Sequence, residues 1–300
     1  MANYRAFAKT GKLVEFKVAA TDMTVGGICP LHTVGLAAGY TSLTERLNGT
    51  WVKPGSQTIV QVEAAFQARF ESIRQTNPKA VLVILRDGQK GYDPAAPEKV
   101  YAGWKDTYLN CHGPDGPGSH RETNYGKRDT LEVFMRHRSL LAQADLSSIP
   151  KGSKILAAQL VLNRVPGISR DATKEPTLWV AEPCNRAWNE TEVNGYQYAD
   201  GKLWKAVGGM YYGEDPDFLP LFLAYGPGQG AANAWDFTEA VKFWTDGEHP
   251  NHGFMLHGDS KDYFMTYSRE YRDIRVRPAI LVIYEPAPRS LSARATVCAN

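Results

Sequence analysis

Asp145-Leu146-Ser147-Ser148-Ile149-Pro150-Lys151-Gly152-Ser153-Lys154-Ile155-Leu156-Ala157-Ala158-Gln159-Leu160-Val161-Leu162 runs from a strand end through a turn into a second strand. Its first part is a strand end passing into a turn, where short Asp and Ser side chains satisfy loose backbone amides. Its last part places Ala158, Leu160 and Leu162 on one face, the period of two that marks a strand lying on a core. The same grammar continues outward. Residues 81–85 (Val-Leu-Val-Ile-Leu) form an apolar strand that breaks at Arg86-Asp87-Gly88. Phe254 and Leu256 alternate with Met255 and His257, and residues 279–284 (Ala-Ile-Leu-Val-Ile-Tyr) close the pattern. Pro278 precedes that last strand, where a missing N–H costs no ladder bond. Pro- and Gly-rich turns separate the pieces: residues 113–118, Glu214-Asp215-Pro216-Asp217 and residues 226–230. Such spacing favours a mostly β sandwich or jelly roll.

Residues 1–80 read differently. Residues 12–19 alternate as a strand, and a Gly-rich stretch follows around Gly26-Gly27 and residues 35–39. A helix is expected over about residues 57–76: Ser56 is a candidate cap, and Val60, Val62, Ala65, Phe66, Phe70 and Ile73 recur at helical spacing. Asn77-Pro78 ends it. A second, short helical turn is expected near Thr238, capped by Asp236 or Thr238 itself. The division expected is thus a small α+β segment (1–80), a β-sandwich (81–285) and a tail or linker (286–300).

The 34 basic and 32 acidic side chains leave a formal charge of +2. That balance gives no general pull towards nucleic acid or an anionic membrane. The apolar runs are far shorter than the roughly 20 residues of a membrane-spanning helix. Residues 1–5 show no apolar signal core, which leaves a cytosolic chain, a processed chain or another export route open. Cys29, Cys111, Cys184 and Cys298 have no zinc-knuckle or redox spacing. They are compatible with two disulfides in any of three connectivities, or with free buried thiols.

Over about residues 81–285 the chain resembles the DNRLRE domain family, through a string of local phrases in order. These are Arg86-Asp87-Gly88, Tyr101-Ala102-Gly103, Asp106-Thr107-Tyr108-Leu109, Asn124-Tyr125-Gly126, Leu131-Glu132-Val133 and Arg138-Ser139-Leu140-Leu141. Residues 145–150 and the strand after them come next, then Trp188-Asn189-Glu190, Trp235-Asp236-Phe237-Thr238, Val241, Trp244, Asp246-Gly247, residues 250–254 and Arg277-Pro278. Departures are Ala142-Gln143-Ala144 in place of an apolar-Phe lead, and His252 in place of a Tyr. The resemblance implies a jelly-roll sandwich of two antiparallel sheets on a secreted or cell-surface protein. It also implies a kinship with modules that hold alginate. Trp188, Trp235 and Trp244 belong to its phrases and are expected in the core. Most phrases have structural readings: Asn124-Tyr125-Gly126, for instance, suits a turn in which Gly takes a positive φ and Asn bonds its own backbone.

Catalytic patterns are weak. No H-E-x-x-H, nucleophile elbow, Walker loop or dinucleotide fingerprint occurs among the residues. His249 and His252 are close but flank a Pro-Asn turn. Asp215 and Asp217 are compatible with a glycosidase pair, a turn, or a structural calcium site built from loop oxygens. The candidate ligand-binding residues are a basic group, Arg121, Lys127, Arg128, Arg136 and Arg138 with His120 and His137, and the rings Trp179, Trp204, Tyr211 and Tyr212. Arg and Lys suit the carboxylates of uronic-acid polymers, and rings suit sugar faces. The expectation is a non-catalytic extracellular module that binds polysaccharide, an acidic one first. The alternatives are a structural subunit of a surface layer, fibre or appendage that self-assembles through residues 1–80, and, more weakly, a polysaccharide lyase.

Overall fold

The computed structural model describes residues 58–111, 119–134, 137–166, 178–209, 215–219, 232–258 and 263–287, and the strand backbone at 2–7, 13–18, 221–222 and 224–227; at 178–180, 258 and 264 it describes the backbone alone. The chain is mostly β. The strands are β1 (Ala2–Phe7), β2 (Leu13–Val18), β3 (Val81–Leu85), β4 (Trp104–Asn110), β5 (Thr130–Phe134), β6 (Arg138–Ala144), β7 (Lys154–Asn163) and β8 (Leu178–Pro183). They continue with β9 (Gln197–Ala199), β10 (Lys202–Leu203), β11 (Leu221–Phe222), β12 (Ala224–Pro227), β13 (Ala232–Asp236), β14 (Phe254–Gly258), β15 (Tyr263–Tyr267) and β16 (Ala279–Glu285). Two α-helices accompany them, α1 (Ile59–Thr76) and α2 (Thr238–Thr245).

One antiparallel sheet has the order β13-β7-β16-β3. The other runs β12-β8-β14-β6-β5-β15, with β4 also paired to β6. Their facing sides form one core: Val83, Leu85, Leu160, Leu162, Ile280 and Val282 from the first sheet meet Leu131, Val133, Leu140, Ala142, Phe254 and Leu256 from the second. The alternation read at Ala158, Leu160 and Leu162 points these side chains inward. A bulge re-phases β7, since Ile283 faces Ala157 while Tyr284 faces Ile155. Ile155 and Ala158 both face the core as a result. Trp235 and α2, through Phe237, Val241 and Trp244, close the same core.

Both sheets are also covered on their outer sides. Helix α1 lays Val62 and Phe66 on Ala157, Val161, Leu281 and Ile283 of the first sheet. Its cap is Thr58, two residues beyond the Ser56 expected, in a capping box with Gln61. Val60, expected on the buried face, is 70% exposed. Glu63 pairs with the buried Arg86, and Asn77 Nδ2 donates to Glu285 Oε2 (2.9 Å). The helix therefore packs as a layer on the outer side of the first sheet. On the outer side of the second sheet, Cys184, Trp188, Val193, Trp204 and Phe218, from residues 184–209 and 215–218, pack on Leu109, Leu141 and Met255. Cys111 and Cys184 are free thiols in this cluster; Cys29 and Cys298 lie outside the described residues. Backbone pairing joins β1 to β2 antiparallel and to β11 in parallel. Among the described residues no helix is long and apolar enough to cross a membrane.

Candidate functional site

Strand β4 pairs on one side with β6. On its other side, carboxylates take up its amides. Trp104 N donates to Asp87 Oδ1 (3.0 Å) and Asp106 N to Glu190 Oε1 (2.7 Å). One guanidinium draws these acids together: Arg269 reaches Asp87 at 3.3 Å, Glu190 at 2.7 Å and Glu270 at 2.9 Å. Asp106 is fully buried beside them; its Oδ2 accepts from Trp104 Nε1 (2.8 Å) and Arg269 N (2.9 Å). Its Oδ1 has no hydrogen-bond partner among the described residues.

Several phrases scattered through the sequence meet here. Asn124 Nδ2 donates to the carbonyls of Glu190 (2.8 Å) and Val193 (2.7 Å). Arg277 Nη1 donates to Asp87 O (3.2 Å). Asn124 Oδ1 does accept from the Gly126 amide at 3.1 Å, the local bond the sequence suggests. The glycine, however, is absent from the positive-φ positions. It is needed for space: a Cβ there would sit 2.3 Å from the Glu190 carbonyl oxygen.

Four carboxyls around Arg269 cannot all ionise cheaply. Burial, followed by the charge of Glu270, pushes Asp106 well above the usual carboxylate range. Burial also raises Asp87, Glu190 and Glu270, against the pull of Arg269. The cluster ties the β4 edge to residues 190 and 269. Among the described residues no group of three or more His, Cys, Asp or Glu is placed to hold a metal ion.

The basic candidates divide between two places. Arg121 belongs to a turn whose carbonyl accepts from Gly195 N (2.7 Å). Arg128 and Arg138 come together around stacked tyrosines, Tyr108 and Tyr125, whose centroids are 4.1 Å apart. Arg128 lies 5.9 Å from the Tyr125 ring centroid, and Arg138 lies 5.9 Å from that of Tyr263. Glu132 links the group, accepting from Arg138 Nη1 (2.5 Å) and Tyr108 Oη (3.4 Å). His137 stacks on Phe134 at the rim. Lys127 and Arg128 are exposed. Arg136, Tyr211, Tyr212 and the Trp179 side chain lie outside the described residues.

Two expectations need correction. Trp204 presents no platform to a sugar. It is 5% exposed, stacks on Phe218 at 5.4 Å and spends its Nε1–H on Asn194 O at 2.8 Å. Asp215 and Asp217, the calcium candidates, face cations of the chain itself. Arg186 pairs with Asp215 (2.9 Å) and Asp217 (3.2 Å), and Lys205 Nζ with Asp215 (3.0 Å). The second oxygen of Asp217 accepts from Lys205 N at 2.7 Å. The Arg186 guanidinium, with Lys205, draws Asp215 down to about 2. Arg269 and Glu270 were not singled out in the sequence. They stand more than 160 residues from Asp106 in the chain, so no local spacing marks them.

No model of a protein family matches the chain, and a search of curated proteins finds no match.

Proposed function

We propose that this chain is a non-catalytic module that binds an acidic polysaccharide at the surface formed by Arg128, Arg138 and Tyr263. The observation that carries the reading is the seating of both guanidiniums over tyrosine rings around one tyrosine stack. Arg138 is held by Glu132 yet keeps a third of its side chain in solvent. A guanidinium fixed in this way has lost much of its rotamer freedom and still offers N–H groups to a uronate. Tyr263, half-buried beside it, suits the apolar face of a sugar, and the buried Tyr108–Tyr125 stack supports the surface from beneath. The DNRLRE resemblance, with its jelly-roll connectivity and extracellular setting, supports the same reading.

The test is affinity electrophoresis and calorimetry against alginate, polygalacturonate and a neutral glucan. Binding to an acidic polymer should weaken with salt and fall at least tenfold in R128A/R138A with the melting temperature unchanged. Equal retention of neutral and acidic polymers would overturn the ligand class, and new unsaturated ends in the polymer would move the chain to the lyases. The structural-subunit reading draws on the parallel pairing of β1 with β11, a seam that two copies could exchange. Large ordered assemblies in light scattering, formed without any glycan, would put that reading first.

A further inference from the structure

Between β8 and β9 the chain exposes one asparagine side chain between two anchored neighbours. On one side of Asn189, Trp188 is buried and donates its Nε1–H to His252 O (2.9 Å). On the other, Glu190 is buried, accepts from Asp106 N (2.7 Å) and pairs with Arg269 (2.7 Å). The backbone of Asn189 is held too. Its N–H donates to Tyr198 O (2.9 Å), and its carbonyl accepts from the amides of Glu192 (3.2 Å) and Val193 (2.9 Å). Asn189 and Thr191 are both exposed.

The two ends of the Asn189 amide differ. Its Oδ1 accepts from Thr191 N (3.1 Å) and from Thr191 Oγ1 (3.0 Å). Its Nδ2 makes no hydrogen bond among the described residues. Other loop asparagines spend that nitrogen on the fold. Asn124 Nδ2 donates to Glu190 O and Val193 O, Asn185 Nδ2 to Pro216 O, Asn194 Nδ2 to Glu122 O and Asn251 Nδ2 to Ala144 O. A bulky substituent on any of these would displace a bond that closes a loop. On Asn189 Nδ2 it would displace none.

Asn189-Glu190-Thr191 is also an Asn-x-Thr triplet with a residue other than proline in the middle. That is the acceptor pattern for N-linked sugar, a bulky and solubilising surface modification. Asn124, Asn185, Asn194 and Asn251 begin no such triplet. The pattern and the unspent nitrogen thus coincide at Asn189. A second triplet, Asn48-Gly49-Thr50, lies outside the described residues.

We propose that Asn189 is a modification site, the acceptor of an N-linked oligosaccharide delivered on a polyprenyl pyrophosphate. Nδ2 bonds to the anomeric carbon of the sugar and gives up one proton to a base of the transferase. The bond from that carbon to the phosphate oxygen breaks, and the pyrophosphate leaves with the electron pair. The folded chain then keeps every hydrogen bond of the loop, because the bonds at Asn189 run through Oδ1 and the backbone. The inference rests on the extracellular setting proposed above and not on the polysaccharide ligand.

The test uses the full chain with Asn48→Gln, which removes the other triplet, translated behind a cleavable signal sequence in the presence of microsomes. Chains that enter the vesicles are recognised by signal cleavage and by protection from added protease. Those chains should run more slowly on a gel, and peptide N-glycosidase should reverse the shift and leave aspartate at position 189 in peptide mass spectra. The shift should be lost in N189Q and in T191A and kept in T191S, which restores the hydroxyl. Protected chains without the shift, or a shift that persists in T191A, would overturn the proposal. The same chain secreted from a glycosylating host should have one Tm before and after enzymatic removal of the sugar. A Tm lowered by the sugar would overturn the claim that the fold leaves Nδ2 unspent. Polymer binding at Arg128 and Arg138 is read by a different measurement, so either proposal can fail without the other.

Discussion

Asp106 sits beneath β4 with one oxygen satisfied by Trp104 Nε1 and Arg269 N, and the other without a partner among the described residues. Burial raises its folded-state pKa well above the usual carboxylate range, so the folded chain binds this proton more tightly than the unfolded chain does. The stability it contributes is complete below the unfolded value of about 4 and is lost as pH rises towards the folded value. Asp87, Glu190 and Glu270 shift in the same direction. Thermal melts should therefore give a Tm that falls as pH is raised from about 4. Asp106→Asn copies the protonated side chain and should flatten that fall and raise the Tm at neutral pH. A slope identical to that of the parent chain would show that the proton resides elsewhere. Asp106→Ala should instead cost about 1–3 kcal/mol for each buried donor left unpaired. Sequence alone could mark Asp87, Asp106 and Glu190 as members of phrases. It could not mark the guanidinium that binds them, because Arg269 is a near neighbour only once β4 and β15 are in place.

Helix α1 was legible as a helix, but its packing partner was not. Its periodicity is carried by Val62, Phe66, Phe70 and Ile73. No amphipathic pattern, however, names the surface that receives it. That surface is the outer side of β7 and β16, whose Ala157, Val161, Leu281 and Ile283 alternate with the inner-face residues. Strands apolar on both faces read as continuous runs, and the run at 279–284 was the hint that a second layer covers this sheet. Phe66 is 3% exposed, so Phe66→Ala should cost about 3–5 kcal/mol. The loss should appear as a downward shift of one cooperative transition that includes the sandwich. A separate early transition, with the main one unmoved, would place a boundary near residue 80. Thr58→Ala, which removes the capping box, should cost about 1 kcal/mol in the same transition.

Across the molecule, the outer side of each sheet carries a packed cover, α1 on the first and residues 184–209 with 215–218 on the second. The second cover has little regular structure of its own. It is held by hydrogen bonds from Asn194, Trp204 and Asn124 and by the Arg186–Asp217 pair. No period-two or helical pattern betrays such a layer, which is why Trp204 read as a free ring and Asp215 and Asp217 as a cation site. Under it lie Cys111 and Cys184, whose thiols burial pushes up to about 12. Neither should react as a thiolate while the cover is closed. In a chain with Cys29 and Cys298 replaced by serine, maleimide labelling of the native protein should be negligible. It should appear in denaturant at the midpoint reported by tryptophan fluorescence if the cover and both sheets unfold as one unit. Labelling well below that midpoint would mean that the cover opens on its own. The outer face of β4, with Lys105 on Trp188, would then be a surface that comes and goes with that opening.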